Sequence, residues 1–155
     1  MATRPTEPVL TDRAKRAMER ARQEQQRLGH PRLAAEHILL GLLGDRAGLS
    51  GFVLRELKVK ESDLANRARA ELERAAPEPV VGEEAVMPAA QKWAETLKQV
   101  SVGTEHLLLA LIGCGGATGR WLEEAGVREA EARATTERLF QTIRRRSGEV
   151  EPPTS

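Results

Sequence analysis

The stretch AAEHILLGLL at positions 34–43 recurs sixty-nine residues later as GTEHLLLALI at 103–112. Glu36, His37, Leu39, Leu40, Leu42 and Gly44 match Glu105, His106, Leu108, Leu109, Leu111 and Gly113 at that one offset. A short segment that is apolar on nearly every side reads as a helix packed in the middle of a bundle, not as an amphipathic surface helix. Its repetition predicts two copies of one helical unit, each built around such a core helix.

Outward from the block the register continues. Val53, Leu54 and Val59 match Trp121, Leu122 and Val127 at an offset one residue shorter, a single deletion in the loop between. Upstream, Arg13 and Ala14 line up with Ala89 and Ala90 if the second copy has lost seven residues, in the part that reads QEQQRLGH in the first. That is about two helical turns, so the first helix of the second copy is expected to be shortened without rotating its apolar face.

Helical spacing runs through most of the chain. Thr11 or Asp12 can cap a first helix on Ala14, Ala17, Met18, Ala21 and Leu28, stopped by Gly29, His30 and Pro31. The core block follows, then a third helix marked by Phe52, Val53, Leu54 and Leu57, and a fourth by Leu64, Ala65, Ala68, Leu72 and Ala75. Three prolines and a glycine in APEPVVGEEAVMP break the pattern and mark a linker. The second half repeats the order, with a helix that has Pro88 in its first turn and runs through Val100, the block from Thr104, a helix near Trp121 and Leu122, and a last one through Leu139, Phe140 and Ile143. No segment keeps a period of two, so the expectation is all-α, with about eight helices. The organisation reads as a disordered leader (1–9), repeat 1 (10–76), a linker (77–87), repeat 2 (88–146) and a disordered tail (147–155).

Composition narrows the function. The 24 Lys and Arg stand against 23 Asp and Glu, a net charge of +1 that offers no general attraction to nucleic acid or anionic lipid. Arg144, Arg145 and Arg146 form one basic run, which reads as a solvated helix end. Aromatic residues are 3% of the chain, with no Tyr, which argues against stacking platforms for single strands or sugars. A single cysteine, Cys114, excludes an internal disulfide and paired-cysteine zinc sites. The N-terminus has no apolar signal core, and the longest apolar block is too short to span a bilayer, so a soluble cytoplasmic protein is expected.

The candidate chemistry lies at the start of the repeated block. A zinc-protease helix needs a second His one turn after the first, and neither EHILLGLL nor EHLLLALI has one, so no metal is expected. His37 and His106 read as structural histidines. Gly103, Thr104 and Glu105 resemble a helix start, with the Thr hydroxyl capping free amides and the carboxylate in the first turn. Such a start can hold an anion on its amides while the acid beside them pairs with a guanidinium, which suits a ligand carrying both charges. Ala34, Ala35 and Glu36 keep the acid but lack the Thr. GCGGATGR at 113–120 follows a helix instead of a strand and has Arg where a phosphate-binding loop needs Lys, so it reads as a flexible connection. No residue beside Cys114 would activate it, and no Ser-His-Asp or paired-carboxylate pattern is present.

With these residues in hand, the chain resembles the N-terminal domain of Clp-type AAA+ unfoldases, closest to the ClpC and ClpA kind. LTDRAKRAMERARQEQQRLGHPRLAAEHILLGLL and FVLRELKV match the first family repeat, and MPAAQKWAETLKQ, VGTEHLLLALI and WLEEAGV the second. The resemblance implies a pseudo-twofold domain of two four-helix repeats, without catalysis or cofactor, that docks substrates or adaptor proteins. It further implies that the glutamate of each GTEH-like block can recognise phosphoarginine, which maps onto Glu105 with Thr104 and onto Glu36. No Walker motif follows the repeats, and Met1 with a polar tail favours a free-standing Clp N-domain protein over an excised one. The alternative is an adaptor or decoy that contacts the unfoldase or peptidase without any small ligand. An enzyme using His37 or His106 as a base is the weakest reading.

Overall fold

The computed structural model describes residues 8–78, 80–114 and 116–146. Among the described residues eight helices follow one another: α1 Asp12–Leu28, α2 Ala35–Leu43, α3 Leu49–Glu56, α4 Glu61–Arg74, α5 Glu83–Thr96, α6 Thr104–Gly113, α7 Gly116–Glu124 and α8 Glu129–Arg146. Among the described residues there are only two isolated β-bridges and no strand. The tail from 147 and most of the leader lie outside the described residues. Val9, at the leader's end, is held, because its carbonyl accepts from the Val102 amide (2.7 Å).

The repeated block forms the centre. Every residue of α2 is buried, and so are eight residues of α6, including Leu107, Leu108, Leu109 and Leu111. These two helices touch each other, and the rest of their surface is covered by α1, α4 and α7 around α2 and by α5, α3 and α8 around α6. The all-round apolar pattern therefore has its cause, since each core helix has a neighbour on each side.

Three helix boundaries differ from the sequence expectation. α5 begins at Glu83 and ends at Thr96, so Pro88 lies inside it and Val100 is 97% exposed. A first-turn Pro was the reasonable reading, because an interior Pro removes one helical hydrogen bond; here Pro88 is exposed, and water can satisfy the freed carbonyl. The seven-residue loss is overturned with it. Ala17 and Ala21 of α1 correspond to Val86 and Ala90 of α5 at the same sixty-nine-residue offset as the core block, and all four are buried. The helix closures agree. Gly29 N–H donates to Gln26 O and His30 N–H to Gln25 O, while Lys98 N–H donates to Glu95 O and Gln99 N–H to Ala94 O. α5 is thus 14 residues against 17 for α1, with no gap in register. GCGGATGR is not a flexible connection along its length either, since α6 runs to Gly113 and α7 starts at Gly116.

The left-handed residue that follows the first and third helix of each repeat alternates in type. Gly29 (φ 69°) is answered by Lys98 (φ 60°), and Lys58 (φ 60°) by Gly126 (φ 94°). The Schellman closure fixes the backbone, and only one member of each pair has the residue that adopts it without cost.

The two repeats interlock. Leu10 bridges Val102, ahead of α6, and Gly82 bridges Ala34, ahead of α2. α3 packs on α6 and α8, and α7 packs on α2 and α4 as well as on α6 of its own repeat, so each third helix reaches across to the other repeat.

Candidate functional site

Both core helices start with an extended N-cap residue that has no capping side chain, Ala34 for α2 and Gly103 for α6. The histidine three residues on takes over. The Ala34 N–H donates to His37 Nδ1 (3.0 Å) and the Gly103 N–H to His106 Nδ1 (2.9 Å). This is the returning half of a capping box, with imidazole in the place of Glu or Gln. Accepting at Nδ1 leaves the proton of the neutral ring on Nε2. In repeat 1 that proton meets His30 Nδ1 at 2.9 Å. In repeat 2 the position of His30 is Gln99, and His106 Nε2 is buried without a partner, beside the Phe140 ring at 6.2 Å. Burial holds both imidazoles neutral, lowering each to about 4.

Glu36 and Glu105 are 8% and 5% exposed. Neither takes part in an ion pair among the described residues. Desolvation therefore raises both carboxyls, Glu105 to about 7, against a smaller lowering effect from each residue's own backbone amide. The Glu105 carboxylate folds back over Gly103 and occupies the space a Cβ would need there. In repeat 1 that position is Ala34, whose Cβ takes up the corresponding space. The Thr118 hydroxyl of α7 stands beside the Glu36 carboxyl and moderates its rise, though it completes no hydrogen bond.

Thr104 is the first residue of α6, not its cap. Its Oγ1 accepts the Ser50 N–H of α3 at 3.2 Å. The N-cap of α3 is Gly48, which has no side chain to cap it, so Thr104 satisfies an open amide of a helix in the other repeat. Ser50 and Thr118 occupy matching positions, and both hydroxyls are buried with no hydrogen-bond partner among the described residues. Sequence reasoning missed these two. Their signal was their common offset from the paired positions Val53 and Trp121, which only gains meaning once α3 and α7 are seen to cross to the opposite repeat.

The amides expected to be free at these starts are mostly occupied. The Ala35 N–H donates to Val81 O (2.8 Å), and the Ala34 and Gly103 amides go to the histidines. The glutamates' own amides face their own carboxylates. An anion here must displace a carboxylate, and that carboxylate would then be free to meet a cation.

Other candidates are not drawn together. Cys114 caps α6 half-buried, its thiol donating weakly to Ala85 O (3.7 Å) and raised by burial. Arg144, Arg145 and Arg146 form the last turn of α8. Among the described residues no three His, Cys, Asp or Glu side chains cluster as metal ligands.

Comparison with known proteins places this arrangement. The Clp repeat N-terminal domain family model matches twice, over residues 9–88 and 83–155, and the chain belongs to that family. It is 33% identical over 147 residues to the ATP-dependent Clp protease ATP-binding subunit ClpA homolog of Cyanidium caldarium, a match covering 84% of this chain and 16% of that protein. It is 37% identical over 119 residues to the chloroplastic chaperone protein ClpC3 of Oryza sativa subsp. japonica, covering 70% of this chain and 12% of that protein. The chain thus spans less than a fifth of the length of these curated relatives. Its fold is that of the Hsp104 N-terminal domain from Candida albicans (TM-score 0.69, 17% identity, 85% of this chain and 91% of that one). The N-terminal domain of ClpD from Arabidopsis thaliana is also similar (TM-score 0.65, 22% identity, 84% and 96%).

Proposed function

We propose that the chain is a non-catalytic protein-binding module of a Clp unfoldase or protease system, acting in the cytoplasm, which takes up marked substrates or adaptors at the starts of α2 and α6. The observation that carries this reading is the pair of buried carboxylates, Glu36 and Glu105, that have no ion-pair partner among the described residues. A guanidinium supplies the missing counter-charge in bidentate form. A phosphate joined to it takes the amide that the carboxylate gives up, and the unpartnered hydroxyls of Ser50 and Thr118 are donors at the same places. Phosphoarginine unites the two charges. Thr104 already accepts from Ser50 and retains its own O–H to donate. His37 and His106 serve as structure, fixing the helix starts, because both Nδ1 atoms are engaged.

The test is calorimetric titration of a phosphoarginine peptide, with its unphosphorylated arginine counterpart as control. Binding is expected for the wild type and lost in Glu36→Ala with Glu105→Ala, and absence of heat with the wild type removes the ligand. A second reading, an adaptor or decoy that contacts the unfoldase or peptidase without a small ligand, is favoured by the near-complete burial of both acids. Co-purification with the Clp machinery that survives the double substitution supports it.

A further inference from the structure

The two repeats present corresponding clefts between a third helix and the fourth helix of the other repeat, of about 350 Å³ between α4 and α7 and about 440 Å³ between α3 and α8, and only the first is bridged by an ion pair. Between α4 and α7, Arg67 pairs with Glu124 and lies over the Trp121 ring (5.7 Å). The residues at those positions in the other cleft are Thr135 and Glu56, so no such pair forms between α8 and α3. A groove of about 440 Å³ remains there. Its apolar walls are Leu49, Phe52, Leu139 and Ile143, and its rim carries Arg138 and Arg146 together with Glu56. Phe52 and Ile143 are 45% and 46% exposed, two of the four large hydrophobic side chains that stand open on the described surface. Arg55 lies over the Phe52 ring at 4.8 Å.

We propose that the α3–α8 groove is a docking site for a segment of a partner protein that presents apolar side chains flanked by carboxylates. Phe52 and Ile143 stand half-exposed in one groove rimmed by charged groups, an arrangement that suits an apolar segment with charged neighbours. The rim selects the sign. Two guanidiniums, Arg138 and Arg146, line the groove against one acid, Glu56, and Arg55 beside the Phe52 ring is already paired with Glu61 (3.1 Å), so the rim stays positive overall. Carboxylates beside the apolar anchors find paired, charge-assisted contacts there, and lysines in their place meet repulsion. The groove residues are not those of the α2 and α6 starts, so this site does not depend on phosphoarginine recognition.

The experiment uses the full chain and three fluorescein-labelled synthetic peptides read by anisotropy: one alternating Glu with Leu and Phe, the same peptide with Lys for Glu, and the same with Ser for Leu and Phe. Saturable binding of the first is expected, at least about tenfold tighter than of either control. Phe52→Ala with Ile143→Ala should weaken it by about tenfold and Arg138→Glu by about fivefold, whereas Glu36→Ala with Glu105→Ala should leave it unchanged. Both apolar residues are half-exposed, so the double variant should melt close to the wild type; if it does not, the peptide charge series and Arg138→Glu decide alone. Equal binding of the Lys peptide, indifference to the groove variants, or no saturation up to roughly 1 mM overturns the proposal. So does a dimer in sedimentation that the Phe52 and Ile143 changes dissolve, because the occupant would then be a second copy of the chain.

Discussion

The two repeats share a fold and differ in how closely their helices approach. In the first, a Cβ on Gly41 would overlap the Ala17 carbonyl, so α2 lies directly against the backbone of α1. In the second, the matching residue of α6 is Ala110, buried against α5 with its methyl accommodated. The helix starts differ in the opposite sense. Repeat 2 has the glycine, Gly103, and its acid folds back and is buried most deeply, whereas repeat 1 has Ala34 and a less buried acid. Duplicated sequence can thus keep one backbone plan while the position of a single hydrogen-for-methyl exchange decides which surface is tight.

The strongest way to break the comparison is to exchange those residues. Gly41→Ala should destabilise by about 3 kcal/mol, because the obstacle is backbone and cannot rotate away. Helix propensity alone predicts the opposite sign. Ala110→Gly should cost only about 1 kcal/mol, and urea melts of the two variants measure the difference.

Acidity sharpens the contrast next. Glu105 sits at about 7 in the fold, above its ordinary value, so the folded state holds the proton more tightly and this residue's contribution falls as pH rises from about 4.5 to 7. The buried histidines, lowered to about 4, act oppositely, and their contribution is lost as pH falls from about 6.5 towards 4. Glu105→Gln should therefore gain up to about 3 kcal/mol at pH 8 and leave a profile that rises through the histidine window. A profile parallel to the wild type's in denaturant melts across this range would show that the carboxyl is not the titrating group. Glu36→Gln should change the profile less.

Smaller effects follow from the caps. Thr104→Ala removes the acceptor for the Ser50 amide and should cost about 1 kcal/mol, with faster exchange of that amide proton as a local readout. Lys98→Gly should stabilise by roughly 0.5–1 kcal/mol by relieving a left-handed lysine, whereas Gly29→Lys at the matching position should lose a similar amount. Thermal melts resolve both.

Most of the architecture was legible in the sequence. Eight helices, two repeats and the buried status of the repeated block follow from apolar spacing, because a helix apolar all round has only one stable place, the middle of a bundle. The register of α5 was misread because Pro88 suggests a helix start, and an exposed interior Pro cannot be told from a first-turn one until the neighbouring helix is in place. The glutamates were found as candidates, but their surroundings were not. Nothing in Gly103, Thr104 and Glu105 reveals that the hydroxyl serves α3, that the carboxylate lies where a Cβ is missing, or that Ser50 and Thr118 stand beside the two starts.

The sequence by itself determined that the chain is helical, which two segments form its centre and that the plan occurs twice, since these depend on spacing along one chain. The tertiary structure alone decided which hydroxyl meets which amide, which carboxylate loses water and which of two equivalent clefts is bridged by an ion pair. Those outcomes arise from residues brought together across the repeats, where a methyl group or an Arg-to-Thr difference acts only through its distance to a partner remote in the chain.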